Sequence, residues 1–171
     1  MSTGVSKLLT FSVRAASALI AVVLTTGLCA VRAASDTTVV HFRSIAEGLT
    51  EASASSRPVL LFFTAAWCAP CHELQRRVFG VSVFAKFVEK TFVPIEVVDR
   101  RREDGSNSPE VQALLARWKV GGLPTLIVFR SNGRVAKRLA GFSTREATLT
   151  FLRIAAQDVQ AGGVNQQPLA H

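Results

Sequence analysis

The run Val59-Leu60-Leu61-Phe62-Phe63-Thr64-Ala65-Ala66-Trp67-Cys68-Ala69-Pro70-Cys71-His72 sets an uninterrupted apolar segment just before a pair of cysteines. Five consecutive apolar residues, two of them aromatic, fit a strand covered on both faces. Pro70 suits the first turn of a helix, so a helix is predicted from about Ala69. The cysteines therefore lie where a buried strand gives way to a helix N-terminus. Unpaired N–H groups and the partial positive charge of that end stabilise a thiolate, the nucleophile of disulfide exchange. The first cysteine of such a pair belongs at the exposed end, and the second lies one turn further in. Cys68 is thus expected to attack a substrate disulfide and Cys71 to resolve the mixed disulfide.

The same residues admit other chemistry. Cys68-Ala69-Pro70-Cys71-His72 also fits the attachment motif of a c-type haem. Such a haem usually takes a second axial ligand, and the chain offers only Met1, His41 and His171 besides His72. Zinc would need a fourth ligand beyond the two thiolates and His72, and no second cysteine pair exists. The redox reading needs neither an organic cofactor nor a metal, and none is expected.

Working outward, Val39, Val40 and Phe42 suggest a first strand, and Ser44-Ile45-Ala46-Glu47 has the form of a capping box. That helix should run toward Ser55 and stop at Arg57-Pro58. After the cysteine helix, Val83 to Lys90 places Phe84, Phe87 and Val88 on one helical face. Phe92 to Val98 reads as a strand, with Pro94 unexpected inside it. Arg100 to Asn107 reads as a loop, and Ser108-Pro109-Glu110 opens a helix to Trp118. Thr125–Phe129 and Val135–Leu139 flank the turn Ser131-Asn132-Gly133 as a hairpin. Ser143-Thr144-Arg145-Glu146 forms a second capping box, opening a final helix to about Val159. The order is β-α-β-α-β-α-β-β-α, an α/β domain.

The N-terminus reads differently. Lys7 and Arg14 precede an uncharged stretch from Ala15 to Val31 with an apolar centre, and Val31-Arg32-Ala33 offers small residues for a signal peptidase. Residues 1–33 are expected to be a cleaved signal peptide, 34–160 the folded domain and 161–171 a flexible tail. An uncleaved membrane anchor is the alternative, although the stretch is short for a span and Thr25-Thr26-Gly27 dilutes it. A lipid on Cys29 is disfavoured by the bulk of Leu28. Cleavage takes Lys7, Arg14 and Arg32 from the 20 basic residues, leaving 17 against 12 acidic ones, a net +5. It also removes Cys29, so Cys68 and Cys71 alone remain of the three cysteines. In an oxidising compartment such a lone pair is not a multi-bridge scaffold. Arg76-Arg77, Arg100-Arg101-Arg102 and Lys137-Arg138 read as solvated surface, and with no interleaved aromatic residues they do not suggest a nucleic-acid partner.

Phe62–Cys71, Gly121-Gly122-Leu123-Pro124-Thr125 and Gly141 together resemble the thioredoxins, over about Val39 to Ala156. Within that family, the Phe42 segment, the Phe79–Phe87 stretch and Gly-Leu-Pro-Thr are similar to the C-terminal periplasmic domain of DsbD-type thiol:disulfide interchange proteins. The resemblance implies a thioredoxin fold, a central mixed sheet with helices on both faces. It further implies that Pro124 is cis against the dithiol, and that the Leu123 backbone and Trp67 bind the substrate segment. The implied function is that of an exported thiol:disulfide oxidoreductase of the bacterial periplasm, a reductase or isomerase given Ala69-Pro70. Its partners would be client proteins with disulfides and a soluble or membrane-bound thiol protein that donates electrons. A binding module with idle cysteines is the competing class. Two departures stand out: the family's buried Asp is Phe62 here, and its partner Lys is Ile95. His72 and Glu96 are the candidate proton acceptors in its place.

Overall fold

The apolar run becomes strand β1 (Val59–Thr64), in a computed structural model that describes residues 39–141 and 143–164. The expected signal peptide, its cleavage site, Cys29 and the chain beyond residue 164 lie outside the described residues. Strand β1 lies inside a four-stranded sheet of order β2-β1-β3-β4, with β2 (Val93–Val98), β3 (Thr125–Phe129) and β4 (Val135–Ala140). It runs parallel to β2 and antiparallel to β3, and β3 pairs antiparallel with β4. The sheet is therefore mixed, as expected.

Alternation along β1 divides the core between two faces. Leu60 and Phe62 pack with Leu126 and Val128 beneath α2 (Ala69–Leu74), α3 (Ser82–Thr91) and α6 (Arg145–Val164). Leu61 and Phe63 join Val93, Ile95, Val97, Ile127 and Phe129 on the other face. There α1 (Ile45–Ser55) contributes Ile45 and Ala52, and α5 (Pro109–Arg117) contributes Val111, Leu114 and Leu115. Among the described residues no helix is long and apolar enough to cross a membrane.

The capping box at α1 is complete: Ser44 accepts from the Glu47 N–H, and the Glu47 carboxylate accepts from the Ser44 N–H. The second box is displaced. Thr144, not Ser143, caps α6 by accepting from Ala147 N–H at 3.2 Å, and the residue three beyond it is Ala147, which has no acid to return the bond. Helix α6 also extends to Val164, past the expected end at Val159 and into the segment expected to be tail. The loop at Arg100–Asn107 contains a short helix, α4 (Arg101–Asp104).

The first expected strand shrinks to a single bridge between Arg43 and Ile95. Arg43 N–H donates to Pro94 C=O at 3.0 Å and its own C=O accepts from Glu96 N–H at 3.1 Å. The next bond toward His41 would require an N–H on Pro94, which proline lacks. The same geometry explains how Pro94 fits: its nitrogen faces the outer side of an edge strand, away from β1.

At Gly48 the backbone of α1 lies close against Ile95 of β2. A Cβ there would stand 2.3 Å from Ile95 Cγ1, and Ile95 is fully buried. Gly48→Ala should therefore destabilise the fold by about 1–3 kcal/mol through overpacking, despite alanine's helix preference of about 1 kcal/mol. Chemical denaturation of the two proteins checks it; an unchanged or higher midpoint would contradict the close approach.

Candidate active site

Strand β1 ends at Thr64, and Ala65–Trp67 carries the chain to the start of α2. Cys68 is the N-cap of that helix. Its Sγ accepts from Cys71 N–H at 3.3 Å, and its C=O accepts from Cys71 N–H at 2.9 Å and His72 N–H at 3.2 Å. Cys68 and Cys71 are joined in a disulfide, with Cα atoms 5.2 Å apart. This is the oxidised form of the pair. Cys68 was expected at an exposed end, yet in this form it is only 2% exposed and Cys71 is wholly buried. The cause is packing: both belong to the apolar cluster under α2, α3 and α6.

The Leu123–Pro124 peptide bond is cis and stands just before β3, as the family resemblance implied. Pro124 is buried, and its C=O accepts from Gly141 N–H at 2.8 Å. Leu123 is half-buried and packs against both core clusters, at the sheet end where the two layers meet. Among the described residues neither its N–H nor its C=O has a hydrogen-bond partner. Trp67 is 39% exposed, and the guanidinium of Arg102 lies over its ring at 3.7 Å.

Beneath the dithiol the sheet is aromatic. Phe62 is fully buried, with the rings of Phe42 and Phe79 at 5.4 Å from it and 5.0 Å from each other. Phe62 pairs with Glu96 across the parallel ladder, so the two share a face, whereas Ile95 belongs to the opposite one. Glu96 is half-buried and accepts from the Gln75 side-chain amide at 2.9 Å. Burial pushes its carboxyl above the usual range, and the Gln75 bond offsets this in part. Gln75 opens the π-helical stretch Gln75–Phe79 that continues α2, and its backbone N–H donates to Cys71 C=O. Glu96 is thus linked through one side chain to the Cys71 turn. His72, by contrast, is exposed on α2.

Sequence reading passed over three residues that shape this site: Gln75, Asp99 and Arg102. Asp99 is 3% exposed at the end of β2, and its N–H donates to Thr64 C=O at 2.7 Å. Its carboxylate accepts from Arg101 N–H, the Arg101 guanidinium and the Asn107 amide. Asn107 in turn accepts from Arg100 N–H at 2.7 Å. The acid directly before three arginines is the signal for this loop in the sequence.

The Arg101 guanidinium holds the Asp99 carboxyl at about 2, with help from Arg101 N–H and Asn107 and against the cost of burial. A depressed carboxylate stabilises the fold above its ordinary pKa, and that contribution is lost as pH falls toward the folded value. Asp99→Asn should therefore cost about 2 kcal/mol at neutral pH and progressively less on acidification. Denaturation measured between neutral pH and pH 2 checks this; a pH-independent difference would show that shape, not charge, anchors the loop.

Residues 45–156 match the family model of the thioredoxin-like domain. The chain is 34% identical over 117 residues to the thiol:disulfide interchange protein DsbD of Ralstonia nicotianae, covering 67% of this chain and 18% of that protein. It is 28% identical over 102 residues to the disulfide bond reductase DsbH of Chlamydia pneumoniae, covering 58% of this chain and 61% of that protein. A solved structure of a DsbH oxidoreductase superposes with a TM-score of 0.60 at 25% identity, over 71% of this chain and 88% of its own. The chain thus spans less than two thirds of either curated relative. A buried strand feeding a helix capped by one cysteine of a disulfide, with a cis-proline at the same end of the sheet, agrees with these likenesses, and the chain belongs to the thioredoxin-like domain family.

Proposed function

We propose that the chain is an exported thiol:disulfide oxidoreductase that reduces or isomerises disulfides of client proteins. The observation that carries this reading is the Cys68–Cys71 disulfide at the N-terminus of α2. In the reduced form the Cys68 thiolate attacks one sulfur of a client disulfide. A mixed disulfide forms, and the other client sulfur leaves as a thiolate that takes up a proton. Cys71 then loses its proton and attacks Cys68 Sγ, releasing the second client sulfur as a thiol. The client gains two electrons and two protons; the pair is left as the disulfide seen here. A donor dithiol must return the two electrons before the next cycle. In isomerisation, a second client thiol releases the enzyme instead.

The helix N-terminus favours the thiolate at Cys68. The unpaired N–H and C=O of Leu123 support strand-like pairing with the client backbone, with Trp67 next to Cys68 in the chain and Pro124 at the sheet end where β1 finishes. The name of the DsbH relative, a disulfide bond reductase, supports the reducing direction. Of the two candidate proton acceptors, Glu96 is the better supported, through Gln75 and the shared face with Phe62. Export rests on the order of basic, apolar and small residues before Ala34.

Cys68→Ser should abolish reduction of a protein disulfide such as insulin's, and Cys71→Ser should accumulate mixed disulfides with clients. Trapping by Cys68→Ser instead would reverse the two roles, and a wild type that reduces no disulfide would leave only a binding module. If Glu96 accepts the Cys71 proton, Glu96→Gln should slow release of the mixed disulfide and remove a carboxylate-like inflection from its pH profile. An unchanged profile would free Glu96 of that role. Intact mass of the exported protein should correspond to a chain starting at Ala34; a mass that includes residues 1–33 would indicate an anchor.

A further inference from the structure

Three consecutive arginines border the site, and their guanidinium groups are used differently. Arg100 pairs with Asp104, with Nε at 2.6 Å from the carboxylate. Arg101 pairs with buried Asp99 at 2.7 Å. Arg102 has no carboxylate: among the described residues its N–H groups make no hydrogen bond or ion pair, and its Cζ stands 3.7 Å from the centre of the Trp67 ring. Stacking at that distance occupies a face of the guanidinium and leaves its N–H edge for another acceptor.

The position of Arg102 is built rather than incidental. Asp99 is tied to the end of β1 through Thr64, and it binds both the backbone and the side chain of the residue next to Arg102. Asn107 closes the other side of the same loop. A cation with open donors is thereby fixed on the residue that immediately precedes Cys68. A carboxylate matches such donors in shape and charge, and can take two N–H bonds at once.

We propose that Arg102, seated on Trp67, is a specificity-determining residue that receives an Asp or Glu side chain of the client beside the cysteine attacked by Cys68. Disulfides flanked by acidic residues are then exchanged faster than those flanked by Lys or Arg. This rests on the exchange reading of Cys68 and adds a preference to it. The net positive charge of the chain attracts acidic clients from a distance, but without regard to where the acid lies relative to the disulfide. Arg102 alone makes the preference depend on position.

The test uses two short peptides with the same intramolecular disulfide, one carrying Glu beside a cysteine and the other Lys. The reduced protein should reduce the Glu peptide faster by roughly tenfold at low ionic strength, with the ratio shrinking as salt is added. Arg102→Gln should bring the ratio near one and Arg102→Glu should invert it. Arg100→Gln, which removes the same charge two residues away, from a side chain paired with Asp104, should leave it unchanged. Equal rates in the wild type, or a ratio that survives Arg102→Gln, would overturn the proposal and leave the exchange reading intact. If neither peptide is reduced, the exchange reading fails and binding decides the site. In that arm the peptides carry Ser for Cys, and the oxidised protein is followed by tryptophan fluorescence. Tighter binding of the Glu peptide that is lost in Arg102→Gln supports the carboxylate site; equal binding of the two peptides refutes it.

Discussion

Strand β1 is hydrogen-bonded along both edges and covered on both faces, so nothing about its position is negotiable with solvent. The three arms of the site depend on that confinement. Because β2 is parallel to β1, its last residues and Asp99 arrive at the same end of the sheet as Thr64. Because β3 is antiparallel, it is the beginning of β3, with Pro124 just before it, that arrives there. The dithiol itself follows β1 by a few residues. Strand direction, rather than any contact among the site residues, therefore gathers cysteines, cis-proline and the arginine loop at one sheet end.

Much of this was legible in the residues. The unbroken apolar run of β1 signalled burial on both faces, and Ser44, Ser108 and Pro109 marked helix starts where the structure has them. The cysteines and Pro124 were legible because their residue types carry specific geometry. What escaped reading depended on partners distant in sequence. Val39 to Phe42 has strand composition, but its pairing is limited by the missing N–H of Pro94, some fifty residues on. Ser143 and Thr144 are equally able caps, and only the three-dimensional path of the chain selects Thr144. Arg102 looked like one of many surface cations until its ring partner, far back in the chain, was seen.

Phe62 shows how one substitution reorganises a neighbourhood. A fully buried carboxyl in the middle of β1 would need its own hydrogen-bonding partners in an apolar layer. With phenylalanine there, three rings close the space under the dithiol, and the carboxyl on that face stands one strand outward, at Glu96. At the edge the carboxyl is half-buried and held by Gln75, so the cost of burying it is smaller. The exposed side of α2 is left to His72.

The outer strands carry a consequence of another kind. An open sheet offers unpaired N–H and C=O groups at each margin, and identical chains can join there into ribbons. Here one margin is interrupted at Pro94 and masked by the single bridge from Arg43. The other, β4, bears Lys137 and Arg138, a pair of like charges that stacked copies would set side by side. Both flanks of the sheet thus carry features that oppose edge-to-edge pairing of identical chains.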